Sequence, residues 1–311
     1  MKPSNKNGIS LIIHTKNEEK NIRDCILSAK EVANEIIVID QSSTDRTVEV
    51  AKSLGATVYR IPDEGFIDNF RNFGISKTKF KWALALDADE RLTRKLSTKI
   101  KKMVKDNEYD VVVFPFKNIR LGKWMQHTGW WPDYHPRLFR KGYLKWPTNI
   151  AKAHIQPIIK GNILTLDAIE KNAILHHNVT SMQSLLSKMT RYYFLEDAGG
   201  FFEKNKMTPQ TLINYYEGEF KYRYIEERGY LDGMRGFVFS KFREYAKFLE
   251  FVKWWESNRY PEIFDQEGLF KIISDDFENK NELRVFKSSK TFKAWRAYCR
   301  FKDYLKKIMR I

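Results

Sequence analysis

The sequence predicts an α/β protein, built on a mostly parallel sheet with helices on both faces and ending in a helical C-terminal extension. Three observations predict it. Short β-branched, apolar runs alternate with helix-period segments through the first third of the chain. Hydrophobic residues make up 42% of the 311 positions, enough to build a real core. From Ser181 onward the pattern is helical, with many aromatics and lysines.

Element by element, Ile9–His14 reads as a buried strand, followed by a helix over Glu18–Val32 with Asn17 as its N-cap. Glu35–Asp40 is a second strand, and Asp45–Leu54 a helix stopped by Gly55. Thr57–Ile61 is a third strand and Phe66–Lys77 a helix. Trp82–Leu86 is a fourth strand, Leu96–Asn107 a helix and Asp110–Phe116 a further strand. The expected division is 1–117 for the α/β region and 118–180 for loops and short strands that cover its ligand edge. A helical, basic region follows over 181–311.

Composition narrows the function. Two cysteines far apart, Cys25 and Cys299, give no disulfide framework and no cysteine zinc site, and suit a reducing cytosol. Met1–Gly8 is polar and too short for a signal peptide, and no apolar run reaches membrane-spanning length. The net charge of +16 points to nucleic acid, anionic lipid or a phosphorylated substrate, or to a solvated basic surface with no partner.

In sheets of this kind ligands bind beyond the carboxyl ends of the strands. The first strand exits into His14-Thr15-Lys16-Asn17-Glu18-Glu19, the second into Asp40-Gln41-Ser42-Ser43-Thr44-Asp45, and the fourth into Asp87-Ala88-Asp89-Glu90. A single Asp after a strand is most often a helix cap, and Asp45 fits that role. Three exits of the same character are harder to explain structurally. The Asp-x-Asp delivered by the apolar run Leu84–Leu86 offers hard oxygen ligands suited to Mg²⁺ or Mn²⁺, which could bridge a diphosphate.

These segments resemble family 2 glycosyltransferases. Ile9–Glu18 resembles their opening strand and Ile36–Asp45 their second-strand motif. Phe70-Arg71-Asn72-Phe73-Gly74 is similar to their Arg-Asn-x-Gly helix, and Leu86–Glu90 to their Asp-x-Asp. The resemblance implies a nucleotide-diphospho-sugar transferase fold and transfer with inversion. By the same resemblance Thr15 and Glu18 line the base and ribose pocket, Asp40 meets the pyrimidine edge and Arg71 lies near base or diphosphate. Asp87 sits by the ribose and Asp89 binds the metal. Trp130–Arg140, Gly229–Phe237 and Lys253–Glu256 are similar to a subgroup acting in lipopolysaccharide-core and related glycan synthesis, which implies a glycan or lipid-linked acceptor at the cell envelope.

In that subgroup a His-Glu pair supplies the presumed base, and here Ala153-His154-Ile155 stands instead. An inverting displacement needs a proton acceptor. Asp133 is one candidate, set between Trp130-Trp131 and Arg137, with a turn residue as its plainer reading. His154 is another, with a structural histidine as the plainer reading. His176-His177 point to opposite faces of a strand, one of them to the core. Trp124, Trp130 and Trp131 either stack on sugar rings or fill a core.

Three other classes compete. A sugar-nucleotide pyrophosphorylase would want a glycine-rich phosphate loop, and His14–Glu19 has no glycine. Nucleic-acid binding fits poorly with an acidic ligand edge. A catalytically impaired glycan- or nucleotide-sugar-binding relative stays open through Ile155. The expected location is cytoplasmic. Residues 285–311, with aromatics at helical spacing from Phe292 among lysines and arginines, suggest peripheral contact with the inner face of an anionic membrane.

Overall fold

A computed structural model describes residues 7–64, 68–147, 156–195 and 199–262. Its strands are β1 (Ile9–Thr15), β2 (Glu35–Asp40), β3 (Thr57–Arg60), β4 (Trp82–Asp87), β5 (Glu90–Arg91) and β6 (Val111–Arg120). They continue with β7 (Lys123–Trp124), β8 (Tyr134–Arg140), β9 (Leu144–Lys145), β10 (Ile158–Ile159), β11 (Ile163–Thr165) and β12 (Ile174–Val179). The α-helices are α1 (Ile22–Ala29), α2 (Thr47–Ser53), α3 (Arg71–Ser76), α4 (Arg94–Asp106), α5 (Met182–Leu195), α6 (Gly199–Phe202), α7 (Pro209–Lys221) and α8 (Met234–Ser257).

The main sheet runs β3-β2-β1-β4-β8-β6-β12-β5. β1 lies between β2 and β4, parallel to both, and β3 is parallel to β2. The strand period of two divides β1 between the sheet's faces. Leu11 and Ile13 join the core beneath α1 and α4 with Ile22, Ile26, Leu96 and Ile100. Ile12 joins the opposite core with Ile37, Ile39, Phe70 and Phe73, on the α3 side. Both faces are therefore covered, which is why the strands read as nearly continuous apolar runs. Gly74 lets α3 lie directly on the sheet, because a Cβ there would stand 2.9 Å from Ile12 Cγ2 and 3.2 Å from His14 Nε2.

β8 corrects the expectation that 118–180 only covers the sheet. It sits inside the sheet, antiparallel to both β4 and β6. Its sequence, Tyr134-His135-Pro136-Arg137-Leu138-Phe139-Arg140, hides this because a buried arginine replaces an apolar residue. Asn17 is also corrected. The helix begins at Ile22, and Asn17 adopts φ 53° in the preceding turn. The turn is held by the neighbouring loop: Glu18 N donates to Thr47 Oγ1 at 2.7 Å and Glu19 N to Asp45 Oδ2 at 3.1 Å. Asn17 Oδ1 in turn accepts from Thr44 N at 2.8 Å. Asp45 also takes the Thr47 amide at 3.0 Å, an i to i+2 bond in the turn before α2, whose N-cap is Arg46 rather than Asp45.

The helical region docks on the sheet through Met125, Val179, Leu185 and Phe239. Asp232, buried before α8, accepts from Gln126 N at 3.3 Å and His127 N at 2.9 Å. Arg235 donates to the Leu121 carbonyl at 3.0 Å and Arg223 to that of Thr128 at 2.7 Å. Among the described residues no helix is long and apolar enough to cross a membrane.

Candidate active site at the carboxyl ends of the strands

The register aligns Thr15 with Asp40, and His14 with Asp87, at the exits of β1, β2 and β4. Thr15 and Asp40 are buried, at 3% and 0% exposure. Asp40 Oδ2 accepts from Ser43 N at 3.1 Å and lies 3.8 Å from Arg60 Nε. Asp40 Oδ1 and Thr15 Oγ1 have no hydrogen-bond partner among the described residues. Such orphaned buried oxygens are rare in proteins and call for a ligand or water. His14 is also buried, and both its ring nitrogens lack partners. Burial, reinforced by Arg71, lowers its pKa to about 3, so the ring is neutral.

Asp87 is clamped. Arg71 meets it through both terminal nitrogens, at 3.2 and 3.3 Å, and Arg137 Nη2 lies 3.0 Å from Oδ2. The same Arg137 nitrogen stands 2.5 Å from Glu90 Oε1. Burial works to raise the Asp87 carboxyl, but the two guanidinium groups overcome it and hold it well below the usual range. Glu90, fully buried, goes the other way: burial, with Asp87 and Asp89 nearby, pushes it up to about 8 despite Arg137. Arg71 also lies over the Trp146 ring, at 5.4 Å. Asn72 holds that tryptophan's backbone, donating to its carbonyl at 2.7 Å and accepting from its amide at 3.0 Å.

Asp89 emerges beyond this clamp. Its Oδ2 lies 3.6 Å from His176 Nε2 and 3.7 Å from Lys188 Nζ. Burial acts to raise its carboxyl, but His176 and Lys188 bring it below the ordinary value. Glu18 is raised by burial and then by the charge of Asp89, which places both in one electrostatic neighbourhood. Thr15, Glu18, Asp40, Arg71, Asp87 and Asp89 thus all belong to one sheet edge.

Asp133 lies alongside, at the start of β8. His135 Nε2 meets its Oδ1 at 2.9 Å and Asn118 Nδ2 donates to its Oδ2 at 2.9 Å. Burial would raise its carboxyl, but the hydrogen bond and charge of His135, together with Asn118, hold it down at about 2. Asn118 Nδ2 also donates to the Trp130 carbonyl at 3.2 Å, so its Oδ1, 2.7 Å from His176 Nδ1, accepts from that ring. His176 therefore carries its proton on Nδ1. Its ring packs edge-on against Phe116 at 5.3 Å while reaching the site, a role the sequence pattern did not reveal. Glu90, Arg137, His135, Asn118 and Lys188 were likewise missed as site residues. Glu90, His135 and Arg137 lay inside the quoted motifs, whereas nothing in sequence signalled Asn118 and Lys188. Trp130 lies under Arg120, 3.7 Å away, and Trp124 packs on Trp131 at 5.1 Å. His154, Ile155 and residues 285–311 lie outside the described residues.

The described residues thus form a mostly parallel sheet with helices on both faces, an acidic exit after its apolar β4 and a helical region that follows it. Residues 10–156 match the family model for glycosyl transferase family 2. An uncharacterized glycosyltransferase of Rickettsia bellii is 28% identical over 257 residues, covering 79% of this chain and 85% of the relative. The SPbeta prophage-derived glycosyltransferase SunS of Bacillus subtilis is 29% identical over 182 residues, 56% of this chain and 40% of that protein. The crystal structure of S. aureus TarS 1-349 is 17% identical with a TM-score of 0.44, covering 79% of this chain and 88% of that one.

Proposed function

We propose that the protein is an inverting glycosyltransferase. It takes a sugar from a nucleotide-diphospho-sugar, UDP-linked by preference, to a glycan or lipid-linked acceptor in envelope polysaccharide synthesis of the lipopolysaccharide-core type. It works at the cytoplasmic side, with peripheral contact to an anionic membrane. The observation that carries this reading is the pair of unpartnered buried oxygens, Thr15 Oγ1 and Asp40 Oδ1, one strand apart beside an acidic exit. A carboxylate acceptor next to a hydroxyl suits the imide N–H and carbonyl of a uracil-like edge. Thermal shift across UDP-, GDP-, CDP- and dTDP-sugars tests it, since a ligand that binds the folded state raises apparent stability. Stabilisation by a UDP-sugar is expected, and no stabilisation by any of them would refute the donor site.

No three His, Cys, Asp or Glu side chains among the described residues converge on one point. A cation held by protein alone does not fit here. One that takes a single carboxylate and completes its shell with diphosphate and water does fit, because Asp89 is held in its ionised form beside Lys188. Asp89 would hold Mg²⁺ or Mn²⁺, which supplies charge neutralisation for the departing nucleoside diphosphate.

Asp133 is the proposed proton acceptor, positioned by His135 and Asn118. Asp133→Asn should lower transfer roughly a hundredfold or more while donor binding persists. Its carboxyl titrates below its ordinary value, so it stays ionised as pH falls from 7 to 5. Transfer should lose nothing over that interval on its account. The stability this depressed group contributes is present above the unfolded pKa of 3.8 and lost as pH falls through about 2. The same low basicity favours a second reading, a relative that binds donor without transferring it. Single-turnover assays with excess enzyme separate the two, because a binding protein releases the donor unchanged.

A further inference from the structure

We propose that Lys188, carried by α5 in the helical region, is a donor-binding residue that meets the diphosphate of the nucleotide-sugar beside Asp89. The inference rests on the donor-site reading above and adds a residue that none of the sequence motifs contains. Its first support is how the cations around Asp87 and Asp89 are used. Arg71 and Arg137 are committed to Asp87 and Glu90, with side-chain exposures of 8% and 7%. Arg91 lies beneath the exit, donating to the carbonyls of Ala88 and Glu90 and to Asn21 Oδ1. Lys188 instead keeps 38% of its side chain exposed while standing 3.7 Å from Asp89 Oδ2.

The second support is that Lys188 is held in place by a built device. The pairing of β12 with β6 shifts register between His176 and Val179, a bulge of the kind that re-aims groups beside functional sites. Asn178 lies within that shift. Lys188 Nζ donates to its carbonyl at 2.6 Å and to its Oδ1 at 3.2 Å. Asn178 Nδ2 in turn stands 3.3 Å from His176 Nε2. His176 continues to Asn118, and Asn118 to Asp133. Every amide in this chain has its orientation fixed by its neighbours, so the ammonium is pinned at the end of a satisfied polar network. An ammonium has three donors, and the two turned toward Asn178 leave one for an incoming oxygen. An anion approaching Asp89 therefore meets a positioned positive charge.

The test uses the full chain and measures binding of UDP, dTDP and GDP, each against its parent nucleoside, by calorimetry with and without Mn²⁺. Lys188→Met should weaken the best-bound nucleoside diphosphate about tenfold or more, as loss of a charged hydrogen bond does. The parent nucleoside should bind as before, and Lys188→Arg should restore most of the loss. Asn178→Ala, which frees the ammonium, should show a smaller loss of the same kind. Unchanged diphosphate binding in Lys188→Met, with the wild type binding well, would overturn the role of Lys188 and leave the donor site standing. Equal losses for nucleoside and diphosphate would mark Lys188 as structural and also overturn it. A wild type that binds no nucleotide would sink the donor-site reading, and this inference with it.

Discussion

Replacing Arg137 by methionine is expected to cost about 3–5 kcal/mol of folding stability. Arg137 is 6% exposed and is the cation shared by Asp87 and the fully buried Glu90. Methionine fills much of the same volume but removes the charge, leaving Arg71 alone beside Asp87 and stripping buried Glu90 of its partner. Glu90 Oε2 already lacks a hydrogen-bond partner among the described residues, so the loss of Arg137 would strip its other oxygen too. Urea denaturation with an unchanged m-value measures the cost directly. The double variant Arg137→Met with Glu90→Gln should recover a large part of it, because the stranded carboxyl is gone. A loss below about 1 kcal/mol, in the range of ordinary surface substitutions, would mean that the cluster is solvated and that the buried-clamp description is wrong.

Asp89→Asn is expected to lower transfer about a hundredfold to a thousandfold, the usual loss when a preorganised electrostatic group is removed from an active site. The amide keeps the side chain's shape, and the Asp89 backbone carbonyl still accepts from His177 N at 2.9 Å, so the fold should persist. The change removes a negative charge that faces His176 and Lys188 and that is proposed to hold the cation. Rates with saturating UDP-sugar, with Mn²⁺ and with EDTA, decide the matter. A variant as active as the wild type removes Asp89 from the mechanism. A wild type at full rate in EDTA removes the metal.

Much of this edge was legible in sequence because strands covered on both faces leave apolar runs, and the residues after such runs are placed by the backbone. Thr15, Asp40, Asp87 and Asp89 follow directly. What was illegible depends on partners distant in the chain. Asn17 looked like a helix cap because its true partner, Thr44, lies in the next loop. β8 looked like loop because Arg137 breaks its apolar pattern, and an arginine is tolerated there only since Asp87 and Glu90 wait on neighbouring elements. His176 read as an ordinary strand residue until Asn118 and Asp133 are brought beside it. Lys188, on a helix with exposed residues on either side, carried no signal.

The docking of α8 has a consequence for when the site can exist during synthesis. Asp232 satisfies the amide of His127 across 105 positions of sequence, and Arg223 reaches back to Thr128. Chains emerge from the ribosome N-terminal end first. The strands that bear Thr15, Asp40 and Asp87 are thus complete long before the groups that fix the loop beyond β6. The loop beyond β6 is therefore fixed only once the chain has been made as far as Asp232.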